Sequence, residues 1–325
     1  MNIDKSQVKR ILVITLSNVG DIILTTPVIR TLAGEFPDAR IDVMAGPQGK
    51  DIFSRDPRIF KFIIYDKHMP VSEKRRLQLK LKKLKYDLVA DLRNTVFPLL
   101  IGPKFRTATI QRFPKHVIHS IEKHLYRIRS LGIRNLEKRS YLYIPKEDEE
   151  YIAKLLKESG IADPIVVVNP GAKSHLKRWD PAGFADVCDR LVRECKVNIL
   201  FIGLSEDEET VAGVIKNMKN VSHNLVNKTD IRQLAGLLKR ARLLVTNDSA
   251  PLHLSCVVGT KVLAIFGPTD PRKYGPTGEF DVVINKKLSC SPCESATCKY
   301  NHECMKMVSP DAVFDAARMM VEGYE

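Results

Sequence analysis

The chain has 325 residues, of which 44% are hydrophobic and 28% charged, and a net charge of +14. That length accommodates two domains, each with its own core, and the composition excludes a disordered or low-complexity polypeptide. No apolar run reaches the roughly 18 residues a membrane-spanning helix needs. The first run, Ile11 to Leu16, is shorter than a signal peptide's central region of about 7–15 residues and leads into polar Ser17-Asn18 instead of a small-residue cleavage site, so a cytoplasmic protein is expected.

Ile11 to Leu16 predicts a strand, Ser17 to Asp21 a turn, and Ile22 to Ala33 a helix with Pro27 near its start, the opening of a nucleotide-type βαβ unit. Neither G-x-G-x-x-G nor G-x-x-x-x-G-K-[ST] occurs, so neither a dinucleotide oxidoreductase nor a P-loop enzyme is favoured. Asp21 places a carboxylate at the carboxyl end of the first strand, where it complements the helix dipole or serves as a base. Strands follow at Ile41 to Ala45, Phe60 to Tyr65, Leu88 to Leu92 and Thr107 to Ile110. They alternate with helices near Pro47 to Ser54, Glu73 to Lys85 and His119 to Leu131, which argues a parallel sheet covered on both faces. The helix Glu73 to Lys85 turns Leu77, Leu81 and Leu84 to a core and its cations to solvent. Asp91, Arg93 and Asn94 end the fourth strand at the edge that carries Asp21. Lys104, Arg106, Lys115 and His116 lie in the loops beyond, as candidates to meet an anionic acceptor. From Lys67 to Arg139, 19 Lys and Arg stand against 5 Asp and Glu, which equals the whole chain's excess and makes a one-sided field for a polyanion.

Near Pro145 the strand-like Tyr141 to Ile144 gives way to an acidic helix start, Glu147 to Glu150, and a domain boundary is placed there. A second series follows: strand Ile165 to Asn169, helix Pro181 to Glu194, strand Asn198 to Gly203, helices Glu206 to Lys216 and Asp230 to Arg240, and strand Leu243 to Thr246. The loop from Asn169 to Trp179 brings glycine N–H groups together with Lys173, Lys177 and Arg178, a setting for a diphosphate. After Asn247, an Asp or Ser cap and Pro251 in the first turn open a helix whose N-terminus is a ready anion site, with His253 one turn in; strand Lys261 to Phe266 follows. Cys290, Cys293, Cys298 and Cys304 form a cluster of irregular spacing, compatible with a structural zinc, with unbound thiols or with a disulfide. Cys188, Cys195 and Cys256 read as small buried apolar residues.

Three stretches carry a family resemblance: L-S-N-V-G-D-I-I-L-T-T-P from Leu16 to Pro27, N-P-G-A and K-R-W within Asn169 to Trp179, and D-S-A-P-x-H-L with G-x6-F-G-P-T-D-P from Asp248 to Pro271. Together they resemble glycosyltransferase family 9, the ADP-heptose:lipopolysaccharide heptosyltransferases. The resemblance implies an α/β fold of GT-B architecture, two Rossmann-like domains facing across a cleft. Residues 1–145 would then form the acceptor-binding domain and 146–325 the sugar-nucleotide-binding domain, with the last helix, 310–321, returning to the first. It implies Asp21 as general base, with Ser17 and Asn18 beside it toward the acceptor. Lys177, Asp248, Ser249, Ala250 and His253 would hold the nucleotide and diphosphate, and Glu206 the ribose. No D-x-D stands near a strand end, in keeping with a reaction that requires no metal cofactor. The implied partners are an ADP-sugar donor and an anionic glycolipid acceptor of Kdo/lipid A type, with peripheral contact to the inner membrane leaflet. Two rivals stay open. A GT-B sugar-nucleotide epimerase would turn over donor without acceptor. A nucleic-acid binder would explain the charge but usually interleaves exposed aromatics with its cations, and Tyr86, Phe97, Phe105, Phe113 and Tyr126 read mostly as core, so no nucleic acid is expected.

Overall fold

In the computed structural model, which describes residues 3–323, the apolar runs become strands of two parallel sheets. The outermost residues of the expected domains, 1–2 and 324–325, lie outside the described residues. The chain separates into two compact units, the first ending at Tyr143 and the second starting at Ile144.

In the first unit β1 (Arg10–Ile14), β2 (Arg40–Ala45), β3 (Ile59–Ile64), β4 (Leu88–Asp91) and β5 (Phe105–Arg106) stand in the order β3-β2-β1-β4-β5. Ile11 to Ile14 are all buried, as expected of a strand covered on both faces. Its register, Ile11 opposite Ile41 and Leu88, makes β1 the centre from which the strand order runs both ways. The first helix spans Val19–Glu35, so Gly20 and Asp21 belong to its first turn and not to a preceding loop. Pro27 lies well inside it. Proline has no N–H to give the Ile23 carbonyl, and the Thr26 hydroxyl supplies that bond at 2.7 Å. The expected strand Thr107 to Ile110 forms two residues earlier, as β5, and Tyr141 to Ile144 is irregular, its backbone held by the Thr26 hydroxyl through the Tyr141 N–H at 2.9 Å.

The second unit joins β6 (Ile165–Asn169), β7 (Asn198–Phe201), β8 (His223–Asn224), β9 (Leu243–Asn247), β10 (Val262–Phe266) and β11 (Val282–Asn285) in the order β11-β10-β9-β6-β7-β8, all parallel. Here the order reverses between β6 and β9, and ligands of doubly wound sheets bind beyond the carboxyl ends of the strands at such a point. The final helix is Pro310–Glu322. It stays with the second unit, where Val313, Phe314 and Ala317 share a core with Val166, Phe201, Val245 and Ile265. Arg190 binds Asp311 at 2.7 Å, and Arg242 donates to the Val321 carbonyl at 2.9 Å. Its apolar face thus covers the sheet of the second unit.

Candidate functional site

At the switch point of the second unit, buried amides tie the loops together. Asn169, the last residue of β6, donates from Nδ2 to the Gly171 carbonyl at 3.0 Å, to Thr246 Oγ1 at 3.2 Å and to Ser249 Oγ at 2.9 Å. Asn247, the last residue of β9 and fully buried, donates to the Pro170 carbonyl at 2.8 Å and accepts from the Trp179 N–H at 3.1 Å. It therefore holds both ends of the loop between them. Trp179 is itself buried on Phe184 and donates from Nε1 to the Val308 carbonyl at 3.1 Å.

That loop delivers Lys177 to the edge. Its ammonium lies 2.6 Å from Asp248 Oδ2, and the same oxygen accepts from Thr269 Oγ1 at 2.6 Å. One carboxylate thus joins the loops that follow β6, β9 and β10. Asp248 is 8% exposed while Lys177 keeps 28%, so the lysine is the member that faces outward. Ser249 occupies the cap position of helix Ala250–Val258, but its hydroxyl is occupied by Asn169 and Thr246 and makes no capping bond. The Ser249 side chain therefore does not cap that helix, and N–H groups of its first turn are left at the edge, a setting that suits an anion. His253 is buried in the same helix.

Among the described residues Glu206 forms no hydrogen bond or ion pair with the loop that follows β6. It is exposed on the short turn Ser205–Asp207, and Glu208 is drawn away to Asn227 at 2.6 Å. Asp207 is the acid that lies there. Its carboxylate accepts from the Leu204 N–H at 3.1 Å, stands 4.0 Å from Arg178, and fills the space where a side chain at Gly171 would have to go. Arg178 turns its Nε to the Ala172 carbonyl at 2.9 Å, bracing the loop from the side.

The cysteines form a separate lobe. Cys290, Cys293, Cys298 and Cys304 line a cavity of about 210 Å³ with Leu176, Pro268 and His302. All four are free thiols: Cys304 is buried, Cys290 half-buried, and Cys293 and Cys298 exposed. Burial and the neighbouring cysteines push the Cys304 thiol up. Among the described residues no three His, Cys, Asp or Glu side chains are grouped to hold a metal ion, so of the three uses open to the cluster the zinc is without support; the sulfurs line one cavity at different depths. The lobe is fastened to the edge, with Ser291 Oγ donating to the Gly267 carbonyl at 2.6 Å, the Glu294 N–H to the Pro268 carbonyl at 2.8 Å, and the His302 ring resting 5.7 Å from that of His175.

In the first unit Asp21 is half-buried and accepts from Asn18 Nδ2 at 3.0 Å, with Ser17 packed against Gly46, where a Cβ would collide with it. Asp91 is buried and used internally, accepting from the N–H groups of Arg93 at 2.8 Å and Thr95 at 2.6 Å and from Thr95 Oγ1 at 2.9 Å; burial raises its carboxyl pKa. Asn94 accepts from Arg127 at 2.6 Å, and Arg93 lies over the Tyr65 ring. Asp91 thus closes the turn after β4 from within, while Arg93 is half-buried and Asn94 exposed. Lys104 precedes β5 and bonds Gln7 ahead of β1, so it stands at the amino edge, opposite Asp21. Arg106, Lys115 and His116 are exposed, the last two in the irregular segment that leaves β5.

The family model described as glycosyltransferase family 9 (heptosyltransferase) matches residues 104–303. Lipooligosaccharide heptosyltransferase 2 of Campylobacter jejuni subsp. jejuni serotype O:2 is 29% identical over 312 residues, 93% of this chain and 95% of that protein. Two solved structures share the fold over nearly their whole length. A glycosyl transferase family 9 protein from Veillonella parvula superposes with a TM-score of 0.86 at 23% identity, covering 99% of this chain and 100% of that one. E. coli ADP-heptose lps heptosyltransferase II gives 0.78 at 22%, covering 97% and 99%.

Proposed function

Because the chain belongs to glycosyltransferase family 9 and is thus a glycosyltransferase, we propose that it is an inverting enzyme that moves a heptose from ADP-heptose to an inner-core sugar of a lipopolysaccharide. The donor binds at the switch point of the second unit and the acceptor at the carboxyl edge of the first. The observation that carries this reading is the Lys177–Asp248–Thr269 clamp beside helix Ala250–Val258, which the Ser249 side chain does not cap. Together they set an ammonium and a helix terminus where a departing diphosphate gathers charge. In the step itself the acceptor hydroxyl oxygen forms the new bond to the anomeric carbon as the bond to the ADP oxygen breaks. The Asp21 carboxylate takes the hydroxyl proton, and Lys177 with the first-turn N–H groups neutralises the leaving ADP. His253, inside that first turn, supports the same end. Asp207, at the end of β7, takes the ribose role expected of Glu206. No metal step is needed for this balance. Charge-rich Lys67 to Arg139 concentrates a phosphorylated glycolipid acceptor and carries the enzyme to the cytoplasmic face of the inner membrane; no helix among the described residues is long and apolar enough to cross it.

The test is a mass-spectrometric transfer assay pairing sugar nucleotides with delipidated inner-core acceptors. ADP-heptose should be consumed only when acceptor is present, with a product of inverted anomeric configuration. Turnover of the sugar nucleotide alone would point to an epimerase, and retention of configuration would remove Asp21 as base.

A further inference from the structure

One surface of the first unit is unused by this chemistry. Helix Val71–Lys83 buries Leu81 and half-buries Leu77, in a core shared with Leu12, Ile14, Val89, Phe97 and Ile101. Leu79 stands two residues from both Leu77 and Leu81 and so points the opposite way, 51% exposed. Its neighbours at i−4, i−3, i+3 and i+4 on the helix are Arg75, Arg76, Lys82 and Lys83, all exposed. The helix carries one acid, Glu73, and among the described residues no carboxylate forms an ion pair with any of those four cations. Helix Phe97–Ile101 covers the same face of the sheet. It sends Phe97 and Ile101 inward and leaves Leu99 50% and Leu100 42% exposed, with Val96 just ahead of it at 61%.

Single exposed aliphatics are ordinary on any protein. Here four of them stand on the outer side of two packed helices, one ringed by four unpaired cations. An aqueous surface gains nothing from that arrangement, and a protein partner would have to supply acids to match every cation. A bilayer with anionic headgroups answers both features at once, because phosphates lie in the plane of the cations and hydrocarbon lies just beneath. The short helix also follows the turn that ends β4, so this surface adjoins the edge that carries Asp21.

We propose that Leu79, Val96, Leu99 and Leu100, framed by Arg75, Arg76, Lys82 and Lys83, form a docking face that seats the first unit on an anionic phospholipid leaflet and presents its carboxyl edge to a lipid-anchored acceptor. The proposal rests on the reading of the acceptor as a glycolipid, and its test is independent of that reading.

The full chain is co-sedimented with vesicles of phosphatidylglycerol and phosphatidylcholine, and with phosphatidylcholine alone. Binding is expected only to the anionic vesicles. K82Q/K83Q should weaken it about thirtyfold, since each basic residue near such a surface is worth about fivefold in partitioning. L99Q/L100Q leaves the charge unchanged and should weaken vesicle binding roughly tenfold or more while leaving retention on heparin as in wild type. V221Q, at an exposed valine of the second unit, serves as control and should change nothing. Transfer to a delipidated acceptor should be equal in L99Q/L100Q, V221Q and wild type. Wild-type vesicle binding by L99Q/L100Q would overturn the proposal and leave a surface that binds any polyanion, nucleic acid included. Equal loss in V221Q would overturn it as well. A wild-type protein that binds vesicles but transfers no sugar would sink the enzymatic reading and uphold this one.

Discussion

The two units wind parallel sheets around the same kind of switch point, yet their carboxyl edges are built differently. In the second unit the edge is interlocked. Two asparagines at strand ends, one carboxylate and three hydroxyls connect the loops after β6, β9 and β10 within 3.2 Å at every link. In the first unit the groups are held singly: Asp91 closes the turn that follows it, the exposed Asn94 accepts from Arg127, Asp21 is held by Asn18 at the mouth of the first helix, and the segment beyond β5 is irregular. The charge divides the same way. Residues 151–325 carry 23 Lys and Arg against 21 Asp and Glu, whereas Lys67 to Arg139 hold the whole excess. A small nucleotide with a fixed shape calls for preorganised partners, because donors already in place need no reorganisation when charge develops. A large, variable, polyanionic acceptor is served by a field and a loose margin.

That contrast can be broken most severely at Asp21, the carboxylate proposed as the base. Asp21→Asn keeps the first-turn geometry and the bond from Asn18 in reach, and should lower the transfer rate by roughly 10²–10⁴-fold, the usual contribution of a general base. ADP affinity measured by calorimetry should stay within twofold or so, because nothing in the second unit has changed. Next in size, Lys177→Ala removes a charge-assisted contact worth about 1.5–3 kcal/mol and should weaken ADP about 10- to 150-fold, whereas Lys61→Ala on β3 should leave it alone. Unchanged ADP affinity in Lys177→Ala would move the nucleotide elsewhere. Smaller again, Asn247→Ala strips the buried Pro170 carbonyl and Trp179 N–H of their partner, at a cost of about 1–3 kcal/mol of stability. A thermal unfolding midpoint equal to wild type would mean that the interlocked edge is not what holds the loop.

How far the sequence led depends on what kind of information each feature needs. Strand and helix alternation survives because burial on both faces writes itself as apolar runs, so Ile165 to Asn169 was legible residue by residue and the helix before Gly259 by its start at Pro251. Asp207 was not, because it stands in a run of four acids and only the turn geometry decides which carboxylate meets Gly171. Lys104 misled for a different reason. Five residues, Phe97–Ile101, form a helix too short to show a period, and it returns the chain from the carboxyl edge to the amino edge before β5 begins. The last helix shows a clear apolar face, yet an apolar face does not say which sheet it covers. The buried amides at Asn169 and Asn247 left one faint sign, an asparagine closing each apolar strand. The cysteine spacing is silent on depth, and depth is what separates four sulfurs around a cavity from four around an ion.

The smallest effect tests the looser half of the comparison. If the first unit gathers its acceptor through a field and not through fitted contacts, raising salt from about 0.05 to 0.5 M shortens the Debye length roughly threefold, and the acceptor KM should climb severalfold. The donor KM should barely move, because Lys177 and Asp248 sit 2.6 Å apart at a largely buried site that screening hardly reaches. The two edges allow a sharper version. Lys115→Glu and Lys104→Glu change the net charge equally, but Lys115 lies in the segment leaving β5 and Lys104 at the amino edge beside Gln7. Since screening confines each charge to about 10 Å at 0.1 M salt, Lys115→Glu should raise the acceptor KM about two- to fivefold and Lys104→Glu should leave it near wild type. Equal effects of the two would mean that only the total charge matters and that the acceptor has no preferred edge. Equal effects of salt on both substrates would erase the distinction between a built donor site and a charged acceptor margin.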